Sequence, residues 1–410
     1  MSTPAAPVPA PPSEREGVRP VGVALFVTGI ALVALNLRTP LAVVPPLTSA
    51  LEDDLGLSGP AVGLLTTLPV LCMGLFAPPA QRLAHAHGRE ATVALALLSL
   101  LAGTLLRVAG DLLALLYAGT LLVGVGIALI GTLLPGIVKD YAPRRAGLLT
   151  AVYLSAMMVG ATAASALAVP LADAAGSWRE ALLLPVVLVV AGLVGWAPVL
   201  RGARRRLGGD RADAPRRRLP WSSPTARLLA AYLAAQSLLF YTELAWIAPT
   251  FVEEGSTDEA AGVHLAAFMA SQLVASVGVP LLADRLRDRR PLLLGVVGLS
   301  VVGLAGLVLA PVGGGWAWMV LLGLGGGGGF ALGLVHLADW ADTPATSARL
   351  SGLGFLVSYC VGATGPTLFG ALRDATGGVT APWVALLALT AASVPLLLRM
   401  TPDRLVRATD

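Results

Sequence analysis

Apolar stretches of about twenty residues, separated by short polar segments, follow one another along the whole chain. Each is long enough to cross a hydrocarbon core of about 30 Å as a helix. The alternation of a membrane barrel is missing. The pattern predicts an all-α integral membrane protein with twelve transmembrane helices. The expected spans of the first half are roughly 20–46, 61–84, 91–109, 112–138, 147–171 and 178–200. Those of the second half are roughly 226–252, 260–283, 291–312, 316–338, 350–372 and 379–399.

The polar segments alternate in charge. On one side of the expected membrane fall Arg82, Arg89, Lys139, Arg144 and Arg145, then the arginine clusters of 201–218, then Arg285 to Arg290, Arg349, Arg404 and Arg407. The other side holds Arg107, Arg179 and Arg373, close to span ends, together with Glu52, Asp53, Asp54, Glu253, Glu254, Asp258 and Glu259. Positive loops stay inside, so both termini are expected in the cytoplasm, and an odd number of spans would scramble the alternation. The expected organisation is a disordered tail at 1–19, a six-helix bundle at 20–200, a basic linker at 201–224, a second bundle at 225–400 and a tail at 401–410. The first apolar run is too long for a signal-peptide core and lacks a small-residue cleavage site.

Composition narrows the class. The 410 residues are 56% hydrophobic and 13% charged, about half the charge of a soluble chain. The net charge of +4 sits in loops beside the spans, which gives no reason to expect a nucleic-acid partner; lipids are the expected surroundings. One lysine against 27 arginines, with abundant Ala and Gly, suggests a high-GC bacterial source and a bacterial cytoplasmic (inner) membrane. Cys72 and Cys360 lie in apolar runs without CxxC spacing and are expected to be packing residues. The four histidines show no metal-binding spacing, so no metal or cofactor is expected.

The polar groups inside apolar runs are the candidate chemistry. Arg38 lies deep in span one, with Asn36 beside it and Pro40, Pro45 and Pro46 after it. An arginine at that depth must face protein or a water-filled cavity, and the prolines mark a helix free to bend. Arg38 is either a cation fixed in a solute pathway or a structural arginine satisfied by carbonyls. On span seven, Gln236, Phe240 and Glu243 follow at i, i+4 and i+7, on one helix face. The Gly325–Gly329 run lies within span ten and lacks the Lys and Ser/Thr of a phosphate loop. Its small residues are expected to let helices approach closely.

The halves repeat. Leu171-Ala-Asp173-Ala-Ala-Gly176 returns as Leu372-Arg-Asp374-Ala-Thr-Gly377, Gly124-Val-Gly126 as Gly323-Leu-Gly325, and Ala80-Gln-Arg-Leu83 as Ala283-Asp-Arg-Leu286, each about 200 residues on. A parallel six-plus-six repeat is the signature of two bundles facing each other across a central pathway. Span seven is then the counterpart of span one, and Glu243 lies as deep in it as Arg38 does in its own. The two charges are expected to approach across the pathway, as a switchable pair or as a permanent ion pair fixing the packing.

This order of features resembles the major facilitator superfamily. Pro280-Leu-Leu-Ala-Asp284-Arg285-Leu-Arg-Asp-Arg289-Arg290 is similar to its signature loop, whose acid and basic residues tether neighbouring helices. The first-half copy is degenerate, with Gln81 at the acid's place and Arg89 late. Closer similarity is to the cyanate and 2-nitroimidazole permease branch, at Asn36-Leu-Arg38, Gly63-Leu-Leu-Thr-Thr-Leu-Pro69, Leu133-Leu-Pro135-Gly-Ile-Val-Lys139, Gln236-Ser-Leu-Leu-Phe240-Tyr241 and Ala348-Arg349-Leu-Ser-Gly352. The resemblance implies a secondary transporter whose substrate arginine maps to Arg38, and a cavity lined by spans one, four, seven and ten. Thr120, four residues before Gly124, stands where drug–proton antiporters carry an arginine, which argues against that subclass.

The expected substrate-binding residues are Arg38, Asn36, Gln236, Tyr241, Glu243 and Tyr359. The expected coupling and gating residues are Glu243, Lys139, His336, Asp284 and Arg285. Lys139 and Asp140 suit a gate, His336 suits packing better than a proton relay, and Arg107 at its span end is expected to snorkel. The function expected is alternating-access transport of a small anion or small polar organic solute, with or without proton coupling, by a monomer. The alternatives are an exporter of neutral or weakly basic aromatic compounds, a channel, and a membrane-embedded enzyme, which the short loops without nucleophile or acid clusters disfavour.

Overall fold

The computed structural model describes residues 22–110, 112–142, 145–204 and 219–407. The expected tail at 1–19 and most of the 201–224 linker lie outside the described residues. Among the described residues the chain is helical, with one isolated bridge between Ala341 and Val406. Eleven apolar segments are long enough to span a membrane, and a bent pair makes the twelfth. Helices satisfy every internal backbone group without water, which is why such runs adopt them.

The first half comprises α1 (Val23–Leu35), α2 (Thr39–Ala42), α3 (Thr48–Leu55), α4 (Gly59–Leu75), α5 (Ala77–His87), α6 (Arg89–Arg107), α7 (Leu113–Tyr141), α8 (Ala146–Ala175), α9 (Trp178–Ala181) and α10 (Leu184–Arg204). The second comprises α11 (Pro224–Glu253), α12 (Asp258–Ala283), α13 (Arg290–Leu309), α14 (Gly315–Asp339), α15 (Pro344–Gly362), α16 (Thr364–Thr376), α17 (Thr380–Ala392) and α18 (Val394–Leu398).

Span one is broken rather than merely bent. Its α-helix stops at Leu35, and the Asn36 and Leu37 amides fall back on the carbonyls of Val33 and Ala34. Arg38 occupies the gap, and Pro45 and Pro46 open a 3-10 turn before α3. The freed carbonyls find side chains: Pro40 accepts from Arg107 at 3.0 Å and Ala42 from Ser165 at 3.3 Å. Span two also differs from its expected single run. α4 and α5 meet at 58°, because Pro78 and Pro79 suit the first turn of a new helix and cannot continue the old one. α5 is amphipathic, with Arg82, His85 and His87 exposed.

The halves close on each other at the face that carries Glu52 and Glu253, here the acidic face. Arg373 Nη1 donates to Glu52 at 2.8 Å, and its Nε donates to Glu253 at 2.8 Å. The Gly59 amide donates to Asp374 at 3.0 Å, and Ser49 donates to Asp258 at 3.0 Å. Deeper in, Thr67 donates to the Ala363 carbonyl at 2.6 Å and meets Thr367 at 2.9 Å. A Cβ at Gly63 would stand 2.5 Å from the Pro366 carbonyl oxygen. The α4 and α16 backbones therefore touch there, as small residues permit.

The arginine-rich face is braced within each half. Arg89 pairs with Asp140, and Tyr141 donates to Glu90 at 2.9 Å. Arg289 pairs with Asp339 about 200 residues later. The degenerate first-half loop thus keeps a tether after all. In the second half the tether is Arg289, while Asp284 and Arg285 stand exposed. Asp288 is held by Arg290, whose guanidinium keeps that carboxyl below the usual carboxylate range. The segment after Met400 is docked: the Val406 amide donates to the Trp340 carbonyl at 2.7 Å, and Val406 is fully buried.

Candidate functional site

A cavity of about 100 Å³ lies between the halves. Arg38 enters it from the break in span one. Its guanidinium carbon sits 4.4 Å over the Phe240 ring and 5.4 Å from the Tyr241 ring. Stacking on an aromatic face suits a guanidinium, whose flat cation is weakly hydrated. Its Nη1 is buried and has no hydrogen-bond partner. No described residue forms a salt bridge with Arg38.

α14 lines the cavity through Gly326, Gly327 and Phe330, and α12 through Gln272 and Ser276. Met157 and Met158 of α8 close a third side. Spans five and eight therefore line this cavity where span four was expected, and no α7 residue reaches it among those described. The lining is mainly apolar and aromatic around one cation, the usual make-up of a small-molecule site.

The other expected site residues are spread over several shells. Tyr241 lines the cavity, and its hydroxyl reaches the Met73 sulfur at 3.6 Å across the halves. Tyr359 stands behind it, edge-on, with centroids 6.4 Å apart. Asn36 turns away: it is fully buried and donates to the Leu32 and Leu188 carbonyls at 2.8 and 3.0 Å. It ties span one to span six. Gln236 lies against Gly329 of α14, and its Oε1 is buried without a partner. Glu243 is fully buried, and neither carboxylate oxygen has a hydrogen-bond partner. It sits beside Gly326, where a Cβ would lie 3.8 Å from Glu243 Oε2 and 3.6 Å from Gln272 Nε2. Arg38 lines the cavity, whereas Glu243 lies behind Gly326 and outside the lining, and among the described residues the two make no ion pair.

Lys139 is exposed at the end of α7. His336 is buried near the arginine-rich face, its Nδ1 2.7 Å from the Leu332 carbonyl and its ring edge-on to Trp340. Neither reaches the central cavity.

Arg107 was expected to snorkel and does not. It is 2% exposed, with Nε donating to Thr120 at 3.0 Å and Nη1 to the Pro40 carbonyl. The guanidinium missing from span four is delivered to Thr120 from span three, so Thr120 alone is a weaker argument against the antiporter subclass. Gln272 was missed altogether. Its signal was the one that singled out Gln236: an amide in the middle of an apolar span.

A family model described as Major Facilitator Superfamily matches residues 23–320. The chain belongs to the major facilitator superfamily. It is 33% identical over 368 residues to YycB, an uncharacterized transporter of Bacillus subtilis (strain 168), covering 88% of this chain and 90% of that one. It is 31% identical to the 2-nitroimidazole transporter of Escherichia coli (strain K12), covering 89% and 93%, and 28% identical to the cyanate transport protein CynX of the same organism, covering 92% and 97%. Among solved structures it resembles a bacterial homolog of the human lysosomal transporter Spinster in an inward-facing, occupied conformation, with a TM-score of 0.74 at 16% identity, covering 92% of this chain and 96% of that one. A D-xylose–proton symporter follows at 0.73 and 15% identity, covering 93% and 98%. Those two structures bear on the fold alone. The protein is a multi-pass membrane transporter of a small-molecule solute, not an enzyme.

Proposed function

We propose that this transporter carries a small anion, or a small polar organic solute with an electron-rich group, past Arg38 by alternating access, with protons coupled through Glu243. The observation that carries this is Arg38 itself: a guanidinium in the central cavity, stacked on Phe240, with a buried N–H left unpaired. A solute carboxylate, nitro or cyanate group would supply the acceptor, through the bidentate donor fork of arginine. Relatives named for 2-nitroimidazole and cyanate transport fit a compact solute of this kind. The halves 20–200 and 225–400 rock as two bodies about the cavity. Both termini face the cytoplasm of a bacterial inner membrane, so the acidic face is external and the closed one here. The working unit is a monomer.

Glu243 supplies the coupling. A carboxylate buried without a partner is costly, and a proton removes the charge. A proton taken from outside, when the cavity opens that way, would neutralise the carboxylate behind Gly326 and favour anion entry. Glu243→Gln mimics the protonated carboxyl. It is expected to abolish the pH dependence of transport while solute still binds, measured as initial uptake rates in vesicles between pH 5.5 and 8. Persistence of the wild-type pH profile would remove Glu243 from the coupling.

The direct test of the site is thermal-shift screening of cyanate, nitrate, small carboxylates and 2-nitroimidazole on purified protein, with Arg38→Ala alongside. Losing the donor fork is expected to weaken anion binding by about tenfold to a hundredfold. A second reading, export of neutral or weakly basic aromatic compounds, is favoured by the Phe240, Tyr241 and Phe330 walls. Stabilisation by neutral aromatics that is indifferent to Arg38 would select it.

A further inference from the structure

The glycine run of α14 is not uniform. At Gly323, Gly325, Gly327, Gly328 and Gly329 an added Cβ would meet a neighbouring atom closer than 3.0 Å. Those neighbours are α12 at Gly323 and Gly327, Ser300 of α13 at Gly325, Val296 and Val279 at Gly328, and Gln236 at Gly329. Gly323, Gly325, Gly327 and Gly328 are therefore demanded by helix packing, and Gly329 is hemmed in by the movable Gln236 side chain. Gly326 is the exception. Its nearest atoms would be Gln272 Nε2 at 3.6 Å and Glu243 Oε2 at 3.8 Å, which is ordinary contact. Helix packing leaves room for a methyl there, and alanine is favoured over glycine inside a helix.

Gly326 also lines the cavity that Arg38 enters. Behind its bare Cα stand two polar side chains with unused capacity. Glu243 is fully buried with both oxygens unpartnered. Gln272 is 7% exposed and opens onto the cavity. Buried polar groups are normally paired, and an orphan directly behind a side-chain-free lining residue marks a place for a ligand atom.

We propose that Gly326 is a specificity-determining position, kept bare so that the far end of the solute can reach Gln272 and Glu243. This rests on the Arg38 site proposed above and adds a second pole to it. The solute then carries two features: an anionic or electron-rich group for Arg38, and a neutral hydrogen-bonding group, such as a ring N–H, amide or carbonyl, for the Gln272–Glu243 end. A triatomic anion such as cyanate can occupy the Arg38 pole alone. A ring-sized solute such as 2-nitroimidazole, with a nitro group at one end and ring nitrogens at the other, spans both.

The test compares Gly326→Ala, Gly327→Ala and Arg38→Ala with wild type, using cyanate and 2-nitroimidazole as probes and the unliganded thermal midpoint as control. Gly326→Ala is expected to keep or raise the midpoint, to weaken 2-nitroimidazole about tenfold, and to leave cyanate within about twofold. Gly327→Ala is expected to lower the midpoint by about 1–4 °C. Equal loss of both probes in Gly326→Ala, loss of neither, or a fall in midpoint like that of Gly327→Ala overturns the proposal. A wild type that binds neither probe, or binds both regardless of Arg38→Ala, removes the Arg38 site and this second pole with it. A ligand-free measurement runs beside these. Gly326→Cys, in a background with Cys72 and Cys360 replaced by alanine, is expected to react with a small water-soluble thiol reagent, while Gly328→Cys, which faces Val296 and Val279 instead of the cavity, stays unreactive. An unreactive Cys at 326 in folded protein overturns access from the cavity.

Discussion

Arg107 is a full positive charge held by neutral acceptors, the Pro40 carbonyl and the Thr120 hydroxyl, with Nη2 left unpaired. Its place is structural and exacting: it stitches span three to the break in span one, two residues beyond Arg38. Arg107→Ala leaves two acceptors unpaired and a hole the size of the side chain, which costs about 2–5 kcal/mol. The thermal midpoint of purified protein is expected to fall by roughly 2.5–6 °C, at about 1.2 °C per kcal/mol for a chain of 410 residues. Arg107→Lys, with one ammonium where a fork reached two acceptors, is expected to recover less than half of that. A midpoint within 2 °C of wild type in both variants would show that the stitch carries no weight. The contrast with Arg38 shows what a sequence can hold. Depth within an apolar run is a local property, so Arg38 was legible as a cavity residue. Snorkelling depends on whether the span end meets lipid or another helix, so the burial of Arg107 is set by span one, 67 residues away. Asn36 was misread for a similar reason. It stands two residues from Arg38, yet the helix break turns the two side chains to different neighbours, one to the cavity and one to span six.

At the scale of elements, apolar periodicity and arginine placement gave the helices and their order, because both are written locally. Breaks were harder. Pro45 and Pro46 signalled a bend in span one, but the α-helix already stops at Leu35, where a cavity-facing arginine and tertiary hydrogen bonds replace the helical ladder. The Pro78-Pro79 pair was the readable sign that span two divides into α4 and α5. The α4–α16 seam was not readable at all, since it depends on two glycines meeting a backbone some 300 residues distant. That seam is the closure of the acidic face, and Gly63 makes it possible. A methyl there meets the Pro366 carbonyl carbon at 2.7 Å and the Thr367 Cα at 2.7 Å, so no flexible side chain can yield. Overpacking of this kind costs about 1–3 kcal/mol. The three atoms nearest to that methyl all belong to the other half, so this cost falls on the closed state and shifts the conformational ratio by roughly 5- to 150-fold. Gly63→Ala is therefore expected to make Thr67→Cys reactive towards an impermeant thiol reagent at the acidic face. Unchanged, slow labelling would show that the seam accommodates the methyl.

For the whole molecule, the hydrogen bonds between halves are unevenly placed: among the described residues they lie at the acidic face or mid-depth, from Arg373–Glu52 and Ser49–Asp258 down to Thr67–Thr367 and Tyr241–Met73. The tethers Arg89–Asp140 and Arg289–Asp339 at the other face each stay within one half. Each half is thus braced internally where the two do not grip one another, as a pair of rocking bodies requires. Transport by rocking demands that the acidic-face grip break and re-form in every cycle. Thr67 and Thr367 offer a way to stop it. Their hydroxyl oxygens are 2.9 Å apart, which places the Cβ atoms within reach of a disulfide's geometry. With Cys72 and Cys360 replaced by alanine, Thr67→Cys and Thr367→Cys together are expected to cross-link under mild oxidation. Uptake in vesicles should then fall to background and return when the disulfide is reduced, while each single variant transports under both conditions. Solute binding in the cross-linked protein should survive from the arginine-rich side, because the cavity and Arg38 are untouched. Undiminished uptake by fully cross-linked protein would mean that this seam stays shut throughout the cycle, and the solute would need a route that does not pass between α4 and α16.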